Sequence, residues 1–216
     1  NMPVSIEVRN NRIHVVDAVV SNNKITCKKA FTLDLPDGVL DAKGIIDNMQ
    51  FARILESGLE IHHVKSKKVT LCINNTSIIY RELVVPRGVV DSGEPIIIAD
   101  IEDGTLKLYL FEDKKYVLTR NTKITDYSME DKKALIGVIE DNINKMVQFQ
   151  FTRPSHVGIK KILLVGKVDF LNEACISIND SLQIETQVFP QPSFVLDETN
   201  TPHYYKIYAA GALLRK

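Results

Sequence analysis

The stretch Ile96–Arg120 constrains this chain most, because its residues fit three short strands joined by two tight turns. Ile96–Ile101 is a nearly unbroken apolar run, as a strand buried on both faces requires. Asp103-Gly104 is a strong two-residue hairpin signal, since glycine takes positive φ without a Cβ penalty. Leu106–Phe111 reads as the second strand, and Asp113-Lys114 turns the chain into a third, Tyr116–Arg120. One carboxylate, Asp100, stands near the end of the apolar strand, just before the turn. From there it can face whatever occupies the mouth of the sheet.

The N-terminus repeats the plan. Val4–Val8 is a short apolar strand carrying Glu7, and Arg9-Asn10-Asn11 is a turn, because Asn tolerates the left-handed conformation. Arg12–Val20 is a second strand, Asn22-Asn23 turns again, and Lys24–Leu33 is a third. The chain thus holds two copies of strand, carboxylate, turn, strand, turn, strand. Meanders are common, but a duplication facing a shared cleft is the sharper reading.

Composition narrows the class. At 216 residues the chain suits one or two domains with a sizeable core. It carries 27 Lys+Arg against 27 Asp+Glu, so its charge gives no case for nucleic acid or an anionic membrane surface. No apolar run approaches the roughly 20 residues that span a bilayer. The opening Asn1-Met2-Pro3-Val4 does not read as a signal peptide, and Asn1 reads as a remnant of cloning. Cys27, Cys72 and Cys175 are few and far apart, which points to a reducing compartment. No ligand spacing suggests a metal centre, and His62-His63 reads as a surface connection before Lys65–Lys68.

Between and after the meanders, Pro36-Asp37-Gly38 is a turn and Asp41 is the expected cap of a helix to about Leu59. Its expected buried stripe is Ile45, Met49, Ala52, Leu55 and Leu59, with Gly58 helping to end it. Lys68–Ile73 and Ser77–Val85 read as a β pair, and Pro86–Glu94 as a loop. Ser128 is the expected cap of a second helix to about Phe149, with Asp131 at the capping-box position. Its stripe is Ile136, Ile139, Ile143 and Met146/Val147. A strand over Ile159–Val165 runs into Gly166, a helix covers about Asp169–Leu182, and Ile184–Val188 is a short strand. Pro190–Pro202 reads as a plain surface connection before a final helix over Tyr204–Arg215, whose Ala209-Ala210-Gly211-Ala212 suits close packing. Strands and helices in this order predict an α/β class with mixed sheets covered by helices.

Two meanders, each opening a lobe, followed by strand-Gly-helix, resemble the actin/Hsp70/FtsA superfamily. Within it the chain resembles the PilM-like type IV pilus assembly proteins. Leu35-Pro36-Asp37-Gly38 with its helix, Ile79–Pro86, Ile98-Ala99-Asp100-Ile101 through Thr105, Leu118-Thr119-Arg120, Ile162-Leu163-Leu164-Val165-Gly166 with Phe170-Leu171, and Tyr208–Arg215 carry the likeness. The resemblance implies a two-lobed actin-like (ribonuclease H-like) α/β fold with mixed sheets flanked by helices. It implies a first lobe over 1–94, a second over 95–202 and a C-terminal helix, 203–216, returning to the first. Only Arg87–Glu94 stands where the family carries an extra small subdomain, which the resemblance leaves either naturally absent, deleted or missing from this stretch of sequence.

The same resemblance implies a nucleotide site on Glu7, Asn10, Asp100, Gly104, Thr105 and Gly166, with ATP and Mg as cofactors and no catalytic or metal residues assigned. Glu7 and Asp100 are hard oxygen donors that can hold Mg through water. The phosphate turns are degenerate. Arg9 stands where the family has a glycine, Glu102 stands where another is expected, and Gly166-Lys167 replaces a Gly-Gly pair. A long side chain or a negative charge there obstructs the approach of phosphate to backbone N–H groups.

The resemblance therefore implies a scaffold rather than an enzyme. It would be cytoplasmic, recruited to the inner face of the cytoplasmic membrane, and would hold the cytoplasmic tail of a PilN-like membrane protein. Self-association is compatible with it; nucleic-acid binding and direct membrane insertion are not expected. The alternatives are an ATP-binding switch or weak ATPase of the same fold, or an FtsA-like cell-division protein, which should end in an amphipathic helix. A sugar or acetate kinase would need intact phosphate turns and an acidic base in a sugar site.

Overall fold

Both meanders form where alternation and turn chemistry place them. In the computed structural model the described residues are 3–9, 11–22, 24–41, 44–66, 68–73, 93–102, 104–124, 131–166, 169–190, 195–199 and 213. They divide between two compact units, one over Asn1–Tyr80 with Gln191–Lys216, the other over Arg81–Pro190.

In the first unit β1 (Val4–Arg9), β2 (Arg12–Ser21) and β3 (Lys24–Asp34) are antiparallel neighbours. Asn11 and Asn22 take the positive φ values of 57° and 50° that the turns need. Strand β4 (Leu40–Asp41) pairs antiparallel with β5 (Gly44–Ile45) as a small hairpin. Helix α1 (Asn48–Ile61) follows, then β6 (Val69–Ile73), which lies parallel to β1. The helix therefore starts later than expected. Asp47, not Asp41, is its N-cap, accepting a 2.9 Å bond from the Gln50 amide, while Asp41 accepts from the Gly44 amide at 3.0 Å and closes the hairpin. The buried stripe shifts accordingly. Ile45 lies in β5, Met49 is 71% exposed and Ala52 is exposed, whereas Phe51 packs on Val4, Ile6, Val8, Ile13 and Val15, with Ile54, Leu55 and Leu59 beside it. Gly58 does not end the helix. It lies within α1 against Leu33, where an added Cβ would come 2.4 Å from Leu33 Cδ1. The end is made by His62-His63, whose carbonyls accept from Lys29 Nζ at 2.8 and 2.6 Å, and the His62 ring stacks on Phe31.

In the second unit β7 (Ile96–Glu102), β8 (Thr105–Glu112) and β9 (Lys115–Lys123) form the other meander. Asp113 and Lys114 both take positive φ, the pattern of a primed hairpin turn. Helix α2 (Lys132–Phe151) begins at Asp131, its N-cap, which accepts from the Ala134 amide at 3.0 Å. The capping-box assignment to Asp131 is thus replaced by the cap itself, and Ser128 lies outside the described residues. Then come β10 (Lys161–Gly166), α3 (Leu171–Leu182) and β11 (Glu185–Val188). Strand β10 is parallel to β7, and β11 to β10. Ile97, Ala99, Ile101, Leu106, Leu108 and Leu110 pack one sheet face against Leu135, Ile139 and Ile143 of α2 and Ala174 and Ile178 of α3.

The first sheet runs β3-β2-β1-β6 with one further edge strand beside β3, and the second runs β11-β10-β7-β8-β9. The additional edge strand, β12 (Val195–Asp197), lies parallel to β3 within the segment read as a plain connection. Val195 is buried with Val16, Ala18, Ile25, Cys27 and Leu213 on the second face of the first sheet. The expected pairing of Ser77–Val85, the subdomain position at Arg87–Ser92 and, but for Leu213, the final helix lie outside the described residues.

Candidate functional site

Side-chain alternation decides what each meander presents at its turn. In β1, Val4, Ile6 and Val8 face the α1 core, so Ser5, Glu7 and Arg9 share the opposite face, each no more than 3% exposed. Glu7 lies opposite His14 of β2 and beside Cys72 of β6. The His14 Nδ1 is 2.9 Å from the Thr32 hydroxyl. Arg9 lies opposite Arg12, whose Nε donates to Asp34 at 2.9 Å. Asn10 lies outside the described residues.

In β7, Ile97, Ala99 and Ile101 face the helices, which leaves Asp100 and Glu102 on the other face, buried to 1% and 6% exposure. Asp100 lies opposite Lys107, itself only 4% exposed, and beside Val165 of β10. Thr105 opens β8 opposite Glu102. Gly104 takes φ 72° in the turn, and its carbonyl accepts from the Ile124 amide at 2.7 Å. Gly166 ends β10 in register with Ile101 at φ 151°, where an added Cβ would lie 1.9 Å from the Ile101 carbonyl oxygen. Backbone geometry alone thus accounts for both glycines.

Four of the expected site residues, Asp100, Gly104, Thr105 and Gly166, therefore meet at one end of one sheet, where parallel β7 and β10 both finish. Glu7 sits at the matching place of the other unit. The reading by resemblance did not single out Lys107. Its signal was present: a two-residue turn at Asp103-Gly104 sets Glu102 opposite Thr105, and two steps back sets Asp100 opposite Lys107. Also missed was a buried cluster at the far end of β8. Gln150 donates to Glu112 at 2.9 Å, and Arg153 pairs with Glu112 at 2.5 Å. The Ser155 hydroxyl, then Gln150 and Arg153, hold the Glu112 carboxyl below its usual range against the opposing effect of burial.

Can these groups hold Mg-nucleotide? Asp100 and Glu7 are oxygen donors of the right kind. Their neighbours suit the ligand poorly. Glu102 adds a buried negative charge at the phosphate turn, Arg9 fills the last position of β1, and Lys107 sets an ammonium opposite Asp100. As they stand, the side chains at neither turn fit a Mg-polyphosphate. Among the described residues no group of three or more His, Cys, Asp or Glu could hold a metal ion.

No family model matches the sequence, and no curated protein resembles it by sequence. Solved structures do resemble the fold. A PilM-PilN type IV pilus biogenesis complex matches with a TM-score of 0.71, covering 99% of this chain and 96% of that one at 9% identity. This is the actin-like fold. The ethanolamine utilization protein EutJ from Carboxydothermus hydrogenoformans matches at TM-score 0.57 and 13% identity, over 98% of this chain and 88% of that one. An activator of 2-hydroxyisocaproyl-CoA dehydratase from Clostridium difficile, with bound ADPNP, matches at 0.55 and 11%, over 99% and 94%. The actin-like frame places the β7–β8 turn and Gly166 together by pairing, while the side chains that line it are this chain's own. No helix among the described residues is long and apolar enough to cross a membrane.

Proposed function

We propose that this chain is an actin-like scaffold that holds the short cytoplasmic tail of a PilN-like membrane protein at the inner face of the cytoplasmic membrane. The observation that carries the reading is the fold likeness to the PilM-PilN complex over nearly the whole of both chains. The charged residues at the two turns support it, since a scaffold needs no intact phosphate site. The chain's balanced charge suits recruitment by a protein rather than by anionic lipid. Titrating a synthetic PilN-like tail peptide into the full chain tests the reading. Saturable heat with 1:1 stoichiometry supports it, and absence of binding at the highest soluble peptide concentration refutes it.

A second reading, a nucleotide-dependent switch, is favoured by the ADPNP bound to the activator of the same fold. It requires Mg-ATP to bind despite Arg9, Glu102 and Lys107. A thermal shift in millimolar Mg-ATP that Asp100→Ala abolishes would establish it, and no shift would remove it.

A further inference from the structure

We propose that β9 is a docking edge that takes an extended acidic segment of another protein as a further strand of the second sheet. Among the described residues β9 closes the order of that sheet, with β8 on one side only. It runs for 9 residues, whereas the other strands at sheet ends, β11, β12 and β6, run for 4, 3 and 5. A strand paired on one side turns about half of its backbone N–H and C=O groups outward, which makes it a template for another chain. Short length is a common protection of such an edge, and β9 lacks it. Its one irregularity is a bulge at Val117, since Leu110 pairs with Leu118 and Phe111 with Tyr116. Beyond the bulge, Leu118–Lys123 pairs in unbroken register.

That regular stretch is open to solvent. Arg120 lies opposite Leu108 and shares the sheet face that packs on the helices, while Asn121 lies opposite Lys107 on the other face. Both are exposed. Consecutive residues open on opposite faces put their backbone at the surface, within reach of a second strand.

Charge selects the occupant. Strand β9 carries Lys115, Arg120 and Lys123, and no Asp or Glu stands between Asp113 and Asp126. Pairing with a second copy would bring cation toward cation, which disfavours it, whereas a segment bearing carboxylates brings opposite charges across the new pair. Arg120 and Lys123 are three residues apart, so they point to opposite faces of the sheet. A complementary segment therefore has its acids three residues apart as well. Backbone hydrogen bonds hold it, and the two cations choose it. The edge is present whatever the chain holds in the pilus reading, so either proposal can fail without the other.

The test titrates the full chain into a labelled, end-capped peptide, Thr-Val-Glu-Thr-Val-Glu-Val-Thr, and follows its fluorescence anisotropy at low salt. Saturable binding is expected, and it should weaken several-fold at high salt. Methylating alternate backbone amides gives two further peptides, of which the one whose methyl groups face β9 should not bind. Arg120→Glu with Lys123→Glu should weaken binding of the acidic peptide roughly tenfold. The same double variant should take up the peptide with Lys for both Glu, which the parent does not bind. Both residues are exposed, so the variant should melt close to the parent. No binding of the acidic peptide overturns the proposal. So does binding of both methylated peptides as tight as that of the unmethylated one, or binding unchanged by the double charge reversal. A dimer of the parent in sedimentation that the double variant loses overturns it too, and gives the edge to a second copy.

Discussion

In the first unit the carboxylate third from the end of β1, Glu7, lies opposite His14, and the strand ends on Arg9. In the second the carboxylate third from the end of β7, Asp100, lies opposite Lys107, and the strand ends on Glu102. The backbone plan is the same, down to a parallel neighbour that pairs beside the carboxylate, β6 in one case and β10 in the other. The charges are not. A cation ends one strand and an anion the other. A sheet needs only alternation, so the shared strand plan tolerates this inversion. A ligand site needs particular side chains in particular places, and the inversion changes what each turn can hold.

The largest expected effect concerns the neighbour strands. Ile73 of β6 pairs with Val8, whereas the equivalent position beside Ile101 is Gly166. Gly166→Ala should destabilise the protein by roughly 3–5 kcal/mol, because the new Cβ meets a carbonyl and the φ of 151° suits only glycine. Denaturant melts should show it, and a loss under about 1 kcal/mol would mean that β10 can move away from Ile101.

Next come two buried carboxylates whose environments act in opposite directions. Glu112 has a lowered folded-state pKa, owing to Ser155, Gln150 and Arg153. Its stabilising contribution is present above its usual value of 4.5 and disappears as pH falls through the folded value. Glu112→Gln should therefore lose less stability than the parent between about pH 5 and 3. Arg153→Ala, which removes its ion-pair partner, should cost about 1–3 kcal/mol at neutral pH. Asp17 in the first unit is raised by burial, only partly offset by Lys29 opposite it, and its Oδ1 has no hydrogen-bond partner among the described residues. Here the folded state disfavours the charged form, so Asp17 costs stability at pH 7, and that cost fades as pH falls toward the usual value of 3.8. Asp17→Asn should gain up to about 1 kcal/mol at pH 7 and little at pH 3. Equal slopes of stability against pH in the two variants would contradict this pairing of opposite signs.

The smallest effects are the helix caps. Asp47 and Asp131 each accept one backbone bond, at 2.9 and 3.0 Å. Alanine at either should cost about 1 kcal/mol, nearly the same in both units. A cost confined to one would show that the other helix end is held by packing instead.

The strands are legible because their signals are local. Alternation, Asn-rich turns and Asp103-Gly104 specify both meanders to within a few residues of each end. The start of α1 is not, because Asp41 and Asp47 are equally good caps in isolation. The hairpin that Asp41 closes depends on pairing across Leu40 and Ile45, which no helical periodicity reports. Strand β12 escapes a sequence reading because three residues in a polar, Pro-rich stretch carry too little pattern. Its pairing to β3 goes with tertiary contact, Val195 being packed in one cluster with Val16 and Ile25. At the site, resemblance locates Asp100 and Gly166 but says nothing of Lys107. That residue departs from what resemblance can carry, and only the strand register places it opposite the carboxylate.

The most direct measurement of the scaffold reading is a calorimetric titration of the PilN-like tail peptide into the full chain, run with and without millimolar Mg-ATP. The account predicts saturable peptide binding, unchanged by Mg-ATP, and no heat from Mg-ATP alone. Mg-ATP binding that gates the peptide, or Mg-ATP binding with no peptide binding at all, would contradict it and favour a nucleotide-dependent switch.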